Sequence, residues 1–519
     1  MVSAQRSYDV IGFGDEVCGV LALICAAREY RRRTKKYARI LLMSKCNLQE
    51  GIGGHLVRGG LAYLDRCQVD RDIRLALGLD TFGDPPAIYK EFLHKARVSG
   101  IALDPRKADS ALRQMLREAG IDLLSRVEIN SVVKDGQKLA SLVTPMGTFS
   151  GKQFIDATVN AELAQAAGVR KNKGFETFGL PESELPVTLV FETQGLSVKR
   201  LKELEFNYLK RFTNLADTEA QKILLQAAGS DLKLAEQLKN DLVDSRGNLK
   251  TLWAGNDYID IRSLALSISY HAFRSRKLSF LETGIMLDKG NIAVLDGERL
   301  SWNAMLFAVT GTEAEALARG GAKPTPKMLE EVAFVEKWLK SFGATSVTPA
   351  SELYIRHAGN VIGVVDPLTG SDMLMGGVAP REALGTFAYH FDVRGGIPGI
   401  GVKAGALGFP SVSFPPPVFN IGIQHALIKD VPNLAVVSPA SGFEGYACSA
   451  GRIMEFNAAV GQGVGIAAII ALLGGRNLAT IGNIEVRKVL EQIGQSSRVY
   501  GFAKIADASK LHSFESLIA

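Results

Sequence analysis

Three ionisable side chains of different character alternate within Tyr389-His390-Phe391-Asp392-Val393-Arg394. If that stretch is extended, its period of two puts His390, Asp392 and Arg394 on one face and Tyr389, Phe391 and Val393 on the other. An imidazole, a carboxylate and a guanidinium held together can move a proton and bind an anion. The alternative is a sheet face whose charges pair across strands. Arg356-His357 forms a second candidate pair, with a surface helix or strand as its structural alternative. His55 stands inside a glycine-rich loop, where it either approaches a ligand or bonds loop backbone. No Ser-His-Asp elbow and no HExxH motif occurs, which turns the reading away from hydrolases. Cys18, Cys25, Cys46, Cys67 and Cys448 show neither CxxC nor zinc spacing. Neither a disulfide-reductase mechanism nor a metal site is therefore expected.

The elements that would position these groups begin at the N-terminus. An apolar strand at residues 8–11 leads into Gly12-Phe13-Gly14, then an Ala-rich helical pattern over 17–27 and a second strand at 39–43. This is a βαβ unit with a glycine turn at its first junction. Such a turn lets backbone approach a diphosphate at the helix N-terminus. Val17 stands where the third glycine would be, with Gly19 two residues later. Asp15 and Glu16 lie where an anion would sit and should repel it. Ser44-Lys45 ends the second strand, where a ribose-binding acid would be expected. Gly51-Ile52-Gly53-Gly54-His55 and Arg58-Gly59-Gly60 then form a dense glycine loop suited to close contact with a flat cofactor. Residues 126–155 alternate in short runs broken by Asp135-Gly136 and Met146-Gly147, which predicts a β-meander.

That meander ends in Phe154-Ile155-Asp156-Ala157-Thr158, followed by Asn160-Ala161-Glu162-Leu163-Ala164. The segment resembles the strand-to-helix element of the FAD-dependent oxidoreductases of glutathione-reductase and succinate-dehydrogenase type. Gly53-Gly54-His55-Leu56 with Gly59-Gly60 is similar to the same family's GGQL…GG loop. Glu352-Leu353-Tyr354-Ile355-Arg356 with Ile362-Gly363 is similar to its RELYIRE…IVG segment. Residues 433–437 and the glycine helix from Gly461 to Ala468 resemble the strand and helix that close its flavin site. The stretch at 389–394 resembles its YxxDxH element, with Arg394 in place of the last histidine. The chain departs from the family pattern at Val17, Ser44, Val159 and Ser438-Pro439.

The resemblance implies an α/β protein with a Rossmann-like, glutathione-reductase-type three-layer ββα FAD domain and an inserted α+β substrate domain. It places the FAD domain at 1–185 with 390–485, the substrate domain at 186–389, and a packed tail at 486–519. It implies FAD as cofactor, held by Gly12, Gly14, Ser44, Lys45, Gly53, Gly54, His55, Gly59, Gly60, Asp156, Ala157, Thr158, Gly461 and Gly463. The activity it implies is hydride transfer between a small-molecule substrate and flavin N5, with His390, Asp392, Arg394, Arg356 and His55 as candidate catalytic groups. The departures leave a second expectation open, a binding or assembly protein with weakened or lost catalysis.

Composition agrees with a globular enzyme of two joined domains: 519 residues, 47% hydrophobic and 22% charged. A net charge of +6 from 60 basic and 54 acidic residues is too even for a nucleic-acid binder. The basic run Arg31, Arg32, Arg33, Lys35 and Lys36 reads as a helix end, or else as a peripheral contact with anionic lipid or an acidic partner. An odd cysteine count and no visible signal peptide predict a cytoplasmic setting. The apolar stretch at 458–473 is shorter than a membrane span and predicts a buried helix. Helices are expected at 199–214, 220–242 and 327–340, and strands at 277–288 and 291–294.

Overall fold

The computed structural model describes residues 6–80, 82–409 and 413–518. Strand β1 (Arg6–Phe13) is buried on both faces over Val10, Ile11 and Phe13, as a central parallel strand must be. It pairs in parallel with β2 (Ile40–Met43) on one side and, on the other, with the last strand of the meander. That meander is β4 (Ser131–Asp135), β5 (Lys138–Thr144) and β6 (Gly147–Asp156), joined antiparallel, and is preceded by a short strand β3 (Asp122–Leu124) that pairs in parallel with β2. The resulting order is β3-β2-β1-β6-β5-β4, and a distant strand, Leu434–Val436, adds in parallel to β6. The sheet is therefore mixed, and β3 is an addition to the predicted elements.

Helix α1 (Val17–Thr34) crosses from β1 to β2. Its last turn carries Arg31, Arg32 and Arg33, where cations complement the helix dipole. Arg32 and Arg33 donate to Glu29, and Arg31 lies 4.5 Å over the Tyr37 ring. The basic run is thus a helix end largely engaged within the chain.

A second sheet, antiparallel throughout, uses β7 (Val187–Thr188), β8 (Phe191–Gln194), β9 (Trp253–Ala254), β10 (Tyr258–Asp260), β11 (Ile285–Leu295), β12 (Arg299–Phe307) and β13 (Ser346–Pro349). Their order is β13-β8-β12-β11-β10-β9, with β7 on β12. The helices Val198–Thr213 and Pro326–Lys340 match their expected ranges. The helix expected over 220–242 is instead two, Thr218–Ala227 and Leu232–Asn240. Gly229 and Ser230 both take positive φ between them, which no continuous helix allows. The two strands expected between 277 and 294 are one short helix, Phe280–Thr283, and one strand, β11, whose register shifts between Leu287 and Asn291.

β14 (Thr386–Ala388) pairs only with β15 (Val418–Asn420), so the extended run expected through Arg394 ends at Ala388. The helix predicted near 458–473 runs from Met454 to Gly474. Its 21 residues are long and apolar enough to cross a membrane by length and composition, correcting the shorter expectation. It lies mostly buried, packed along α1. A Cβ at Gly461 would stand 2.4 Å from the Cys18 carbonyl oxygen, and one at Gly465 2.2 Å from that of Ala22. Only glycine lets the two backbones come so near. The C-terminal helix Ile505–Ile518 docks on Gly370–Leu374, where Glu515 accepts from the Gly370 and Ser371 amides at 3.2 Å each.

Candidate functional site

The glycine turn is built as the sequence suggests, but its surroundings are not. Gly14 has φ +94°, and a Cβ there would lie 2.5 Å from the Ala157 carbonyl carbon. Gly19 performs the close helix-to-strand packing expected of a third glycine, since its Cβ would stand 2.1 Å from that of Ala157. Val17 is therefore no loss to the packing. Gly12 faces Leu23, where a side chain would collide.

Asp15 and Glu16 turn inward rather than toward solvent. Arg58 clasps Asp15 through two nitrogens at 2.5 and 3.0 Å, and through Nε donates to Glu352 at 2.8 Å. Ser44 Oγ and the Gly53 amide also donate to Asp15, at 2.8 and 3.1 Å. Burial pushes the Asp15 carboxyl up, but Arg58 and these donors outweigh it and hold the group below the ordinary carboxylate range. Glu16 accepts from the His55 amide at 3.2 Å. Its other oxygen meets His55 Nδ1 in close contact, though outside hydrogen-bonding alignment. The cavity left at the Gly14 turn, lined also by Lys45, Thr158 and Val159, measures about 50 Å³.

Beyond Lys45 and Cys46 the space widens into a groove of about 950 Å³ bordered by Arg126, Glu128, Gln165, Arg319 and Lys323. Lys45 itself bonds Glu162 and the carbonyls of Ala318 and Arg319. Asp156 faces away into the next turn and accepts from the Thr158 amide and hydroxyl and the Ala164 amide. Burial raises its carboxyl to about 6 despite those donors. Gly59 and Gly60 form the far end of the loop, with φ +66° at Gly60. Gly461 and Gly463 sit about two turns inside their helix, against α1 and against Leu384 and Ile423. They do not form its N-terminus.

A second cavity, about 460 Å³, opens between β10 and β11 of the second sheet, the loop at 63–68 and the segment at 389–394. His390, Asp392 and Arg394 all line it, although they sit on irregular backbone rather than on a strand face. The three residues expected to share a strand face share a cavity lining instead. His390 Nδ1 meets Gln68 Oε1 at 2.5 Å, and its ring stacks on Tyr389. Asp392 is bound by Arg452. Burial raises its carboxyl, and Arg452 and the neighbouring cations lower it further, below its usual value. Arg394 donates to Asp288 and to the Lys289 carbonyl, tying the segment to β11.

Arg356 does not line this cavity. It is wholly buried, donating to Pro186 O at 2.8 Å, Thr188 Oγ1 at 2.7 Å and Asn303 Oδ1 at 3.2 Å. Its neighbour His357 is buried against Glu184 at 2.8 Å and stacks on Phe175. This pair is in the core, not on a surface element. Tyr354 links the two cavities: its ring stacks on His55 at 5.2 Å, and its hydroxyl accepts from Arg452 at 3.2 Å.

Sequence reasoning missed Arg58, Glu352, Tyr63, Asp65, Arg66, Asp260 and Lys289. Arg58 had a signal, because it is the one Arg or Lys within residues 51–60, facing two acids that need a cation. Glu352 lies within the segment at 352–356 already matched to the family, whereas Tyr63, Asp65, Arg66, Asp260 and Lys289 carry no signal, since only the fold brings residues 63–68 beside β10 and β11. Among the described residues no group of three or more His, Cys, Asp or Glu could hold a metal ion.

No curated protein matches the sequence. Among solved structures, the L-proline dehydrogenase of P. horikoshii is 10% identical and covers 95% of this chain and 100% of its own, with a TM-score of 0.35. The glycine oxidase of Bacillus cereus is 10% identical over 91% and 96%, at 0.35. The myxobacterial chondrochloren halogenase is 12% identical over 94% and 79%, at 0.38. Over residues 9–492 the sequence matches the family described as FAD dependent oxidoreductase. The chain belongs to that family, which makes it an oxidoreductase with FAD as its cofactor.

Proposed function

We propose that the reaction takes place in the cleft between the second sheet and the segments at 63–68 and 389–394, on a small polar substrate bearing opposite charges. The observation that carries this reading is the lining of the 460 Å³ cavity. That volume lies within the roughly 300–1,000 Å³ usual for small-molecule sites. Arg66 and Asp65 both line it, and neither has an ion-pair partner among the described residues. Arg66 offers a cation to a substrate carboxylate, and Asp65 an anion to a substrate ammonium. Lys289, Arg394, Asp260 and Asp392 are already engaged, with Asp241, Asp288, Tyr63 and Arg452 respectively. His390 is the proton-handling group. If its Nδ1–H donates to Gln68, Nε2 is left free to accept a proton.

The same reading takes the first sheet as a glutathione-reductase-type cofactor domain. Its support is a parallel β3-β2-β1-β6 core that a strand from 434–436 completes. The division into 1–185 with 390–485, 186–389 and 486–519 is supported by the second sheet drawing only on residues 187–349. A cytoplasmic setting is supported by all five cysteines being free.

FAD itself does not fit the Gly14 turn as that turn is arranged. The carboxylates of Asp15 and Glu16 hold the position of its diphosphate, and about 50 Å³ is too little space for it. That observation favours the second reading, a binding protein that keeps the scaffold without turnover. The experiment is a panel of small zwitterionic, anionic and cationic compounds with an artificial electron acceptor, assayed on FAD-supplemented protein. Turnover that falls about 10²–10⁴-fold in His390→Gln and shifts mainly in KM in Arg66→Ala supports the cleft. Variants that turn over like the parent remove it. Bound flavin that bleaches under dithionite, with no compound turned over, favours the second reading.

A further inference from the structure

The carboxylates at the Gly14 turn receive what a diphosphate would receive. Asp15 and Glu16 together carry two negative charges, the number on the diphosphate of FAD. The Gly53 amide donates to Asp15 and the His55 amide to Glu16, so the glycine loop presents backbone N–H groups to them as it would to an anion. Ser44 adds a hydroxyl, Arg58 a two-nitrogen guanidinium and His55 an imidazole. The loop is shaped around these groups: a Cβ on Gly54 would stand 2.0 Å from Glu16 Oε1. All five charged or ionisable members, Asp15, Glu16, His55, Arg58 and Glu352, are 3–5% exposed. The wide groove reaches this cluster through Lys45, Cys46, Glu162 and Gly321, which line both spaces.

We propose that Asp15 and Glu16 are built-in stand-ins for the FAD diphosphate, and that FAD is bound only when they are displaced from Arg58 and His55. This rests on FAD being the chain's cofactor. In the closed arrangement the cluster is a self-satisfied anion site, and the fold is complete without a ligand. In the open arrangement Arg58 becomes the cation for the diphosphate, with the His55 ring as a further polar partner. Glu352 keeps Arg58 in place during the exchange, because its bond to Nε is separate from the two that Asp15 accepts. The cofactor is therefore exchangeable, and its affinity is set by competition with the chain's own carboxylates.

The test is an FAD titration of the full chain, stripped of flavin by dialysis and followed by flavin fluorescence and by thermal melting. Wild type melts cooperatively without FAD and binds it weakly. Asp15→Asn/Glu16→Gln binds at least tenfold more tightly, and Arg58→Gln binds more weakly than wild type. If the double variant does not fold, Asp15→Asn alone carries the same expectation with a smaller gain. Wild type that keeps stoichiometric FAD through dialysis, with variants binding no tighter, overturns the stand-in proposal and leaves the cofactor standing. No binding by any form overturns both.

Discussion

Arg356 is the residue whose surroundings least resemble those of a surface or catalytic arginine. Its partners are a carbonyl, a hydroxyl and an amide, with no carboxylate among them, and Tyr354 lies 4.5 Å beneath its guanidinium. Burial lowers its pKa to about 10. Lysine cannot reach three acceptors in the same plane, so Arg356→Lys leaves buried oxygens unpaired. The expected loss is about 3 kcal/mol of unfolding free energy, measured by urea titration. A change below about 0.5 kcal/mol would show that the site relaxes around a shorter cation. The network at Asp15 tolerates change differently, since Glu352 remains as a counter-ion for Arg58. Asp15→Asn should therefore fold, and its urea midpoint should fall less than that of Arg58→Gln, which strands two buried carboxylates.

Elements in this protein are held by close backbone approach as much as by side-chain burial. The pairing of α1 with helix Met454–Gly474 depends on Gly461 and Gly465. Gly465→Ala should push the helices apart and lower stability by about 1–3 kcal/mol, read as a drop in Tm. Gly401→Ala, at a helical position with open space around it, should change Tm little or raise it slightly. The same feature explains what the sequence could show. β1, α1 and β2 were legible because their apolar periods are local, and the β4–β6 meander because Asp135-Gly136 and Met146-Gly147 punctuate it. The break at Gly229-Ser230 was readable only as a weak glycine signal. The irregular path of 389–394 was not readable at all, because Arg452 and β11 impose it from 60 and about 100 residues away. The candidate site shows the same division. The glycine turn and the His390, Asp392, Arg394 trio carry local spacing, whereas Asp65, Arg66 and Lys289 acquire meaning only where the loop at 63–68 meets β10 and β11.

At the scale of the whole molecule, buried carboxyls of opposite tendency bound the pH range of greatest stability. Burial raises Asp156 to about 6, and Glu205 and Glu515 to about 7. Each holds its proton more firmly when folded. Its contribution is complete below the unfolded value near 4 and is lost as pH rises through about 6–7. Asp15, held below its ordinary value chiefly by Arg58 against the pull of burial, contributes above about pH 4 and loses that contribution as pH falls further. Tm should therefore peak between about pH 4 and 6 and decline toward pH 8, a profile that calorimetry across pH 3–8 checks. A steady rise to pH 8 would show that the three raised carboxyls do not govern stability. The interlock of α1 with a helix that begins at Met454 also has a meaning for biosynthesis. During translation, at about 5–20 residues per second, the apolar flank of α1 waits tens of seconds for its partner to leave the ribosome. A nascent chain that stalls before that point keeps this apolar flank of α1 without the helix that covers it in the finished fold.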